Sequence, residues 1–584
     1  MDTHKRVHLV RSHHLSYFAL PILFLFSFTV VASASPVITV LSPKSASGGS
    51  PVFYEAYAVS AGCSKGVSSM RIYTAPGVIA YKASGGHLET FVKLKAGSYN
   101  TVVQAWDNCG GVSKTAVPLK VNSAAGVTVY LPVGKSDSAP VHFAASAQNP
   151  ACAKGMSAVR IYTGPGVSPY TMPGAQLDAY VALPSKGYVP VVQAWDNCGH
   201  VFKSSFSLAV SGGSDGYLYG SYGTEDKGVV QLNIAADGTM SNPNGSGGPP
   251  LYAAAGAFSM AADPGGWFVY VSANKGIYGF AVNPKNGSLT GIAGSPFAAP
   301  QATLAMDPSG NFLYVTANSA MANSITTYRI DRSSGVLTPT KKTTTIPQGS
   351  GQFTISNQYL YLLGSSQPME ILGYALDASS GALRAVPGSP YKSLGEATAS
   401  GGTQGGAKES LLVLASSNEY LFAGADVSGS DEINGEVFTY VINNSTGALA
   451  PISRPPLLAP RQNQQLTNVW ADRQGKFVWT MWQDTADANS SVATYDVKSD
   501  GSLVPTGFVL STPYAGAFNF LHEDGTGKHL FSFWQGSGQQ GEATWDVVNG
   551  DLVMASHVAL EQSFPSFASL AMQNLEAVVR KRPN

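Results

Sequence analysis

Seven times between Gly216 and the C-terminus the chain repeats one pattern, and a sequence built this way has few folds open to it. Each copy opens on an alternating aromatic strand: Tyr217-Leu218-Tyr219, Phe268-Val269-Tyr270, Phe312-Leu313-Tyr314, Tyr359-Leu360-Tyr361, Tyr420-Leu421-Phe422, Phe477-Val478-Trp479 and His529-Leu530-Phe531. A second strand follows, and then a turn carrying Gly238, Gly287, Gly335, Gly381, Gly447, Gly501 or Gly550. These glycines stand 49, 48, 46, 66, 54 and 49 residues apart. Strand-and-turn repeats of this period predict the blades of a seven-bladed β-propeller.

At 584 residues the chain is too long for one core. Its formal net charge is zero, and its one basic run is Arg580-Lys581-Arg582. That leaves no electrostatic footprint for nucleic acid. At the other end, Lys5, Arg6 and Arg11 precede an uncharged, mostly apolar run from Tyr17 to Val31, and Ala32-Ser33-Ala34 follows. This is the layout of an export signal over residues 1–34, and the run is short for a bilayer span. The expected location is outside the cytoplasm: secreted, at the cell surface or in the periplasm, with no membrane span once the signal is removed. An uncleaved anchor is the alternative.

Between signal and repeats lies a duplication with a constant offset of 89. Met70-Arg71-Ile72-Tyr73-Thr74 returns as Val159-Arg160-Ile161-Tyr162-Thr163, and Val103 to Gly110 returns as Val192 to Gly199. The copies, 36–122 and 125–211, resemble tandem bacterial immunoglobulin-like domains in size and in their short alternating runs. The resemblance puts Cys63 after the second strand and Cys109 in the turn after the sixth. Bridges Cys63–Cys109 and Cys152–Cys198 are then expected at one end of each sandwich, and a metal or redox site is the alternative. Asp107-Asn108 and Asp196-Asn197 read as turn chemistry, or else as cation or sugar ligands.

The fold class expected is therefore all-β, with two sandwiches followed by a propeller over 216–584. Repeat one lacks an innermost strand, and Phe567 to Met572 has the pattern to supply it, closing the ring from the C-terminus. The Asp-Pro-x-Gly turns and the Ser/Asp-Gly-x-Leu turns fall on one face. The longer connections, 392–410, 425–436 and 483–491, fall on the other, where binding residues tend to gather.

Asp307-Pro308-Ser309-Gly310-Asn311-Phe312-Leu313-Tyr314-Val315, with Tyr328-x-Ile330-Asp331-x-x-Ser334-Gly335-x-Leu337, resembles the seven-bladed lactonase-type propellers, whose members include phosphogluconolactonase-like and muconate-cyclase-like proteins. The likeness runs over about 216–575. Active members usually carry histidines before innermost strands and arginines about the central funnel. Here Gln301 and Gly351-Gln352 stand at such places, and no arginine occurs from Gly216 to Tyr328. His522-Glu523 is the one His–carboxylate neighbour pair in the repeats, either a general acid–base pair or a solvated turn.

Aligning the aromatic strands puts Tyr222, Trp482 and Trp534 at one equivalent position, with Gln483 and Gln535 after the tryptophans. Flat aromatics beside amides suit a sugar ring, and they also suit packing between blades, which is the commoner use. Acidic residues on the long connections, Asp426, Asp431 and Glu432 among them, offer oxygen ligands for Ca²⁺ without EF-hand spacing, or else are solvated; no other cofactor is expected. The leading functional expectation is an exported binding protein whose partner is carbohydrate or another surface protein. A lactonase or cycloisomerase acting on a small sugar-derived acid, and a structural adhesion protein, are the alternatives.

Overall fold

The computed structural model describes residues 35–580, apart from 45–46, 64, 137–139, 165–169, 182, 184–185, 212–215, 222–227, 244–253, 255, 318–322, 348–352, 365–369, 393–407, 418, 429–432, 453–456, 459–463, 473–474, 485–489, 512–521, 524–526, 537–538 and 561–575. Among the described residues every regular element is a strand. From Gly216 onward the strands form seven sheets, each with four strands in meander order, and two carry a short fifth strand. In the second sheet these are Ser259–Ala262, Phe268–Ala273, Gly276–Val282 and Leu289–Gly291. The innermost strands of blades one to six lie beside one another in order, and that of blade seven lies against that of blade one. This is a β-propeller.

The recurring residues hold one blade to the next. The repeat glycines have positive φ, 73° at Gly335 and 81° at Gly238, a region that side chains with a Cβ rarely enter. They also lie flat on the preceding blade's aromatic strand. A Cβ on Gly335 would come within 2.6 Å of the Phe268 ring, and one on Gly238 within 2.8 Å of His529. The second aromatic of the strand then reaches across the same seam. Tyr270 donates its hydroxyl to the Gly335 carbonyl at 2.7 Å, Tyr361 to Gly447 at 2.8 Å, and the Trp479 indole N–H to Gly550 at 3.0 Å. Thr544 Oγ1 donates to Gly238 O at 2.8 Å and so joins blade seven to blade one. Tyr270→Phe removes the donor from a buried carbonyl, and we expect it to cost about 1–2 kcal/mol in urea unfolding with the fold intact.

Closure differs from expectation in one respect. The strand that completes blade one is Glu576–Arg580, antiparallel to Gly216–Ser221 with Leu218 opposite Val578. Phe567–Met572 lies outside the described residues. Val578-Val579 are β-branched and suited to a strand, so the closing segment comes a few residues later, directly before the basic tail. The connection 425–436 is likewise mostly strand: Tyr420–Ser428 and Ile433–Ile442 form one long hairpin, pairing Ala425 with Glu436.

Each N-terminal module is a sandwich. In the first, Val37–Ser42, Val52–Val59 and His87–Val92 form one sheet. The second sheet has the order Ser47–Gly48, Val112–Val121, Gly97–Asp107, Val67–Ala75, Val78–Ser84. Phe53, Met70, Ile72, Leu88, Val103 and Val117 fill the space between. Disulfides Cys63–Cys109 and Cys152–Cys198 tie equivalent ends of the two modules. Asp107 and Asp196 serve the adjoining turns, each accepting from the backbone N–H two residues on at 2.9 Å. Tyr130 of the second module is buried in the first module's core and donates to Gly49 O at 2.7 Å, so the two are packed together.

Candidate functional site

The residues singled out in the sequence are spread over several blades. Trp482 is fully buried, and its indole N–H donates to Thr480 Oγ1 at 2.6 Å. This corrects the stacking-platform expectation at one of its three aromatics: Trp482 packs with Phe422, Leu466, Val478 and Tyr495, with no face left for a ring to stack on. Gln483 beside it is half-buried and pairs with Gln465 across the sheet. His522-Glu523 forms the innermost strand of blade seven, His522 opposite Phe531. Trp534 and Gln535 lie in the strand His529–Gly536, and Asp426 in Tyr420–Ser428. The side chains of His522, Glu523, Asp426, Trp534 and Gln535, and the whole of Tyr222, Asp431 and Glu432, lie outside the described residues.

What the structure does bring together is a buried charged cluster where both sandwiches meet the propeller. Glu55 and Glu89 face each other across the first module's three-stranded sheet, as do Tyr57 and His87 two pairs along. The second module adds His142 and Tyr180, also a cross-strand pair, and Asp178. Glu89 and Asp178 occupy equivalent positions of the duplication, so both copies aim a carboxylate at the junction. The propeller contributes the short turns of blades two and three: Asp263, Trp267 and Arg332, with Pro308 behind them.

Arg332 is the hub. Its Nη1 pairs with Asp263 Oδ1 and donates to Gly310 O at 3.0 Å, while Nη2 donates to Glu89 Oε2 at 3.2 Å. The planar guanidinium serves these partners at once, and it sits 5.9 Å from the Tyr180 ring centre. His87 Nδ1 bonds the Arg332 carbonyl at 2.7 Å, and its ring stacks on Trp267 at 3.8 Å. His142 stands between Asp178 at 2.7 Å and Glu55 at 3.2 Å and stacks on Tyr180 at 4.1 Å. Tyr81 reaches Ser333 at 2.8 Å, and the Tyr180 amide donates to Pro308 O at 3.1 Å.

Burial and charge act against each other here. Burial alone lowers the His142 imidazole, but the Glu55 and Asp178 carboxylates outweigh it and raise it to about 10. Burial holds the Glu89 carboxyl well above its usual range, against the pull of Arg332. Burial also disfavours the Arg332 charge, yet Asp263 and Glu89 keep it firmly protonated.

Sequence reasoning missed this cluster, although two signals were present. The duplicated acid at Glu89 and Asp178 was one. The other was Arg332, since the corresponding turns carry Pro284, Ala378 and Asn444 instead. Neither reveals that an outer sheet face of each sandwich is covered, which only the docking shows.

Residues 253–353, which span blades two and three, match the family described as "Lactonase, 7-bladed beta-propeller". No curated protein matches the chain. Among solved structures, one described as 6-phosphogluconolactonase-like, from Bacteroides fragilis NCTC 9343, is 16% identical with a TM-score of 0.42, covering 60% of this chain and 96% of that one. A similar protein from Bacteroides uniformis ATCC 8492 is 18% identical with a TM-score of 0.36, covering 52% and 82% respectively. A functionally unknown protein from Desulfotomaculum acetoxidans DSM 771 is 12% identical with a TM-score of 0.38, covering 63% and 100%.

Proposed function

We propose that the chain is an exported binding protein that presents the long-connection face of its propeller. In this reading residues 1–34 are the export signal, and two immunoglobulin-like sandwiches, 36–122 and 125–211, form a platform for the propeller over 216–584. The observation that carries it is which face the sandwiches occupy. Arg332, Ser333, Pro308 and Trp267 belong to the short turns, and each touches a sandwich residue. Packing of this kind spends the short-turn face of blades two and three on the chain itself and leaves the opposite face for a ligand. Two disulfides suit an oxidising compartment. Among the described residues no helix is long and apolar enough to cross a membrane.

The ligand classes in view are carbohydrate and another surface protein, with Ca²⁺ on the acidic connections as an accessory. The burial of Trp482 weakens the carbohydrate case without touching the choice of face. The second reading, a lactonase, is favoured by the family match over blades two and three. One panel separates them: the full chain is applied to a glycan array and immobilised polysaccharides, and in parallel to small lactones with a pH indicator. Retention without lactone turnover is the expected result. Lactone hydrolysis that His522→Ala abolishes would replace the binding reading with the enzymatic one.

A further inference from the structure

The junction holds more carboxyl groups than cationic side chains. Glu55, Glu89, Asp178 and Asp263 converge on one guanidinium, Arg332, and on the imidazoles of His87 and His142. Four carboxyl groups share one guanidinium and two imidazoles in a largely buried place. Buried carboxyl oxygens need polar or cationic partners, and a bound cation is one way to supply them. Within the cluster, Glu55, His87 and Glu89 each place a ligand atom within 4.8 Å of the others.

Two further observations point to an ion. Glu89 Oε1 is buried and makes no hydrogen bond, although the Glu89 side chain is 1% exposed. His87 is fixed through its other nitrogen: Nδ1 donates to the Arg332 carbonyl, and Nε2 faces Glu89 Oε2 at 3.5 Å. A ring oriented by a backbone carbonyl on one nitrogen and facing carboxylates with the other is the usual setting of a metal-bound histidine. Trp267, stacked on the ring, holds its plane.

We propose that the junction is a divalent transition-metal site of the zinc class, ligated by Glu55, His87 Nε2 and Glu89. One imidazole with two carboxylates is a donor set that zinc accepts, with water completing the coordination. The cation would give the buried Glu89 Oε1 the partner it lacks. His142, between Asp178 and Glu55, and Arg332, against Glu89, orient the ligating carboxylates from outside. All the ligands come from the first sandwich, and Arg332 and Trp267 come from the propeller, so the ion tightens the joint between them. The site is on the short-turn side, and the inference stands or falls apart from the binding reading of the opposite face.

The test uses the untagged full chain, stripped with chelator and titrated with cobalt(II) and then zinc(II). One equivalent of cobalt should bind, with visible ligand-field absorption that zinc abolishes, and the melting temperature should rise with either metal. X-ray absorption of the cobalt form should show one imidazole among oxygen ligands. Glu89→Gln and His87→Gln should each weaken uptake by at least about tenfold. Absence of cobalt uptake overturns the proposal, as does a spectrum with no imidazole or with several. Unchanged uptake in a folded Glu89→Gln or His87→Gln variant overturns it too. The spectrum of the unsubstituted chain decides even if both variants misfold.

Discussion

Arg332→Ala should loosen the sandwiches from the propeller at a cost of about 3–5 kcal/mol, because it strips one partner from a buried ion pair and leaves the carboxylates behind. Asp263 and Glu89 lose their shared guanidinium, and Gly310 O loses a donor. The His87 contact to the residue 332 carbonyl is a main-chain bond and does not depend on the substituted side chain. Arg332→Lys should recover only part of the loss, since an ammonium cannot fork to Asp263 and Glu89 in one plane. Urea unfolding of the full chain followed by intrinsic fluorescence reads the effect, Trp267 lying at the joint. A variant as stable as the parent would mean that the cluster contributes nothing to docking.

Trp482→Ala should be about as costly, about 3–5 kcal/mol, through the cavity left when a buried indole is truncated. The side chain is 0% exposed and fills the space between blades five and six. Trp482→Phe should recover much of the apolar packing while leaving Thr480 Oγ1 without its indole donor. Thermal unfolding compared with polysaccharide retention distinguishes this from a ligand role. Loss of retention with an unchanged melting temperature would restore Trp482 to a binding surface.

The propeller was legible because its constraint is local and repeated. An aromatic pair, a turn glycine and a fixed period recur in each copy, and the structure shows why: ring against glycine and hydroxyl to glycine carbonyl form the seam between blades. The disulfides were legible through the offset of 89, which places each cysteine pair alike. Alignment of the aromatic strands found a real equivalence at Trp482 and yet could not say which way the side chain points. At that position a small residue in one blade and an indole in another both serve packing; Ala273 and Ala425 are as buried as Trp482. The junction was the least legible part. His142 sits on the strand Val141–Gln148, whose alternation suits a wet outer face, and only contact with the distant propeller, as between Glu89 and Arg332 across 243 residues, makes the junction an interior. Binary pattern reports burial within an element's own sheet and is silent on a surface that a later domain covers.

The sandwiches rest on the short-turn face. Hydrogen–deuterium exchange at the Tyr180 amide tests it most directly, because that N–H sits on the edge strand Gln176–Val181 and donates across the joint to Pro308 O at 3.1 Å. Exchange at Tyr180 should be as slow as at the amides paired inside the sheet, and markedly faster in Arg332→Ala while those inner amides stay protected. Fast exchange at Tyr180 in the unsubstituted chain, at the rate of a free sheet edge, would contradict it.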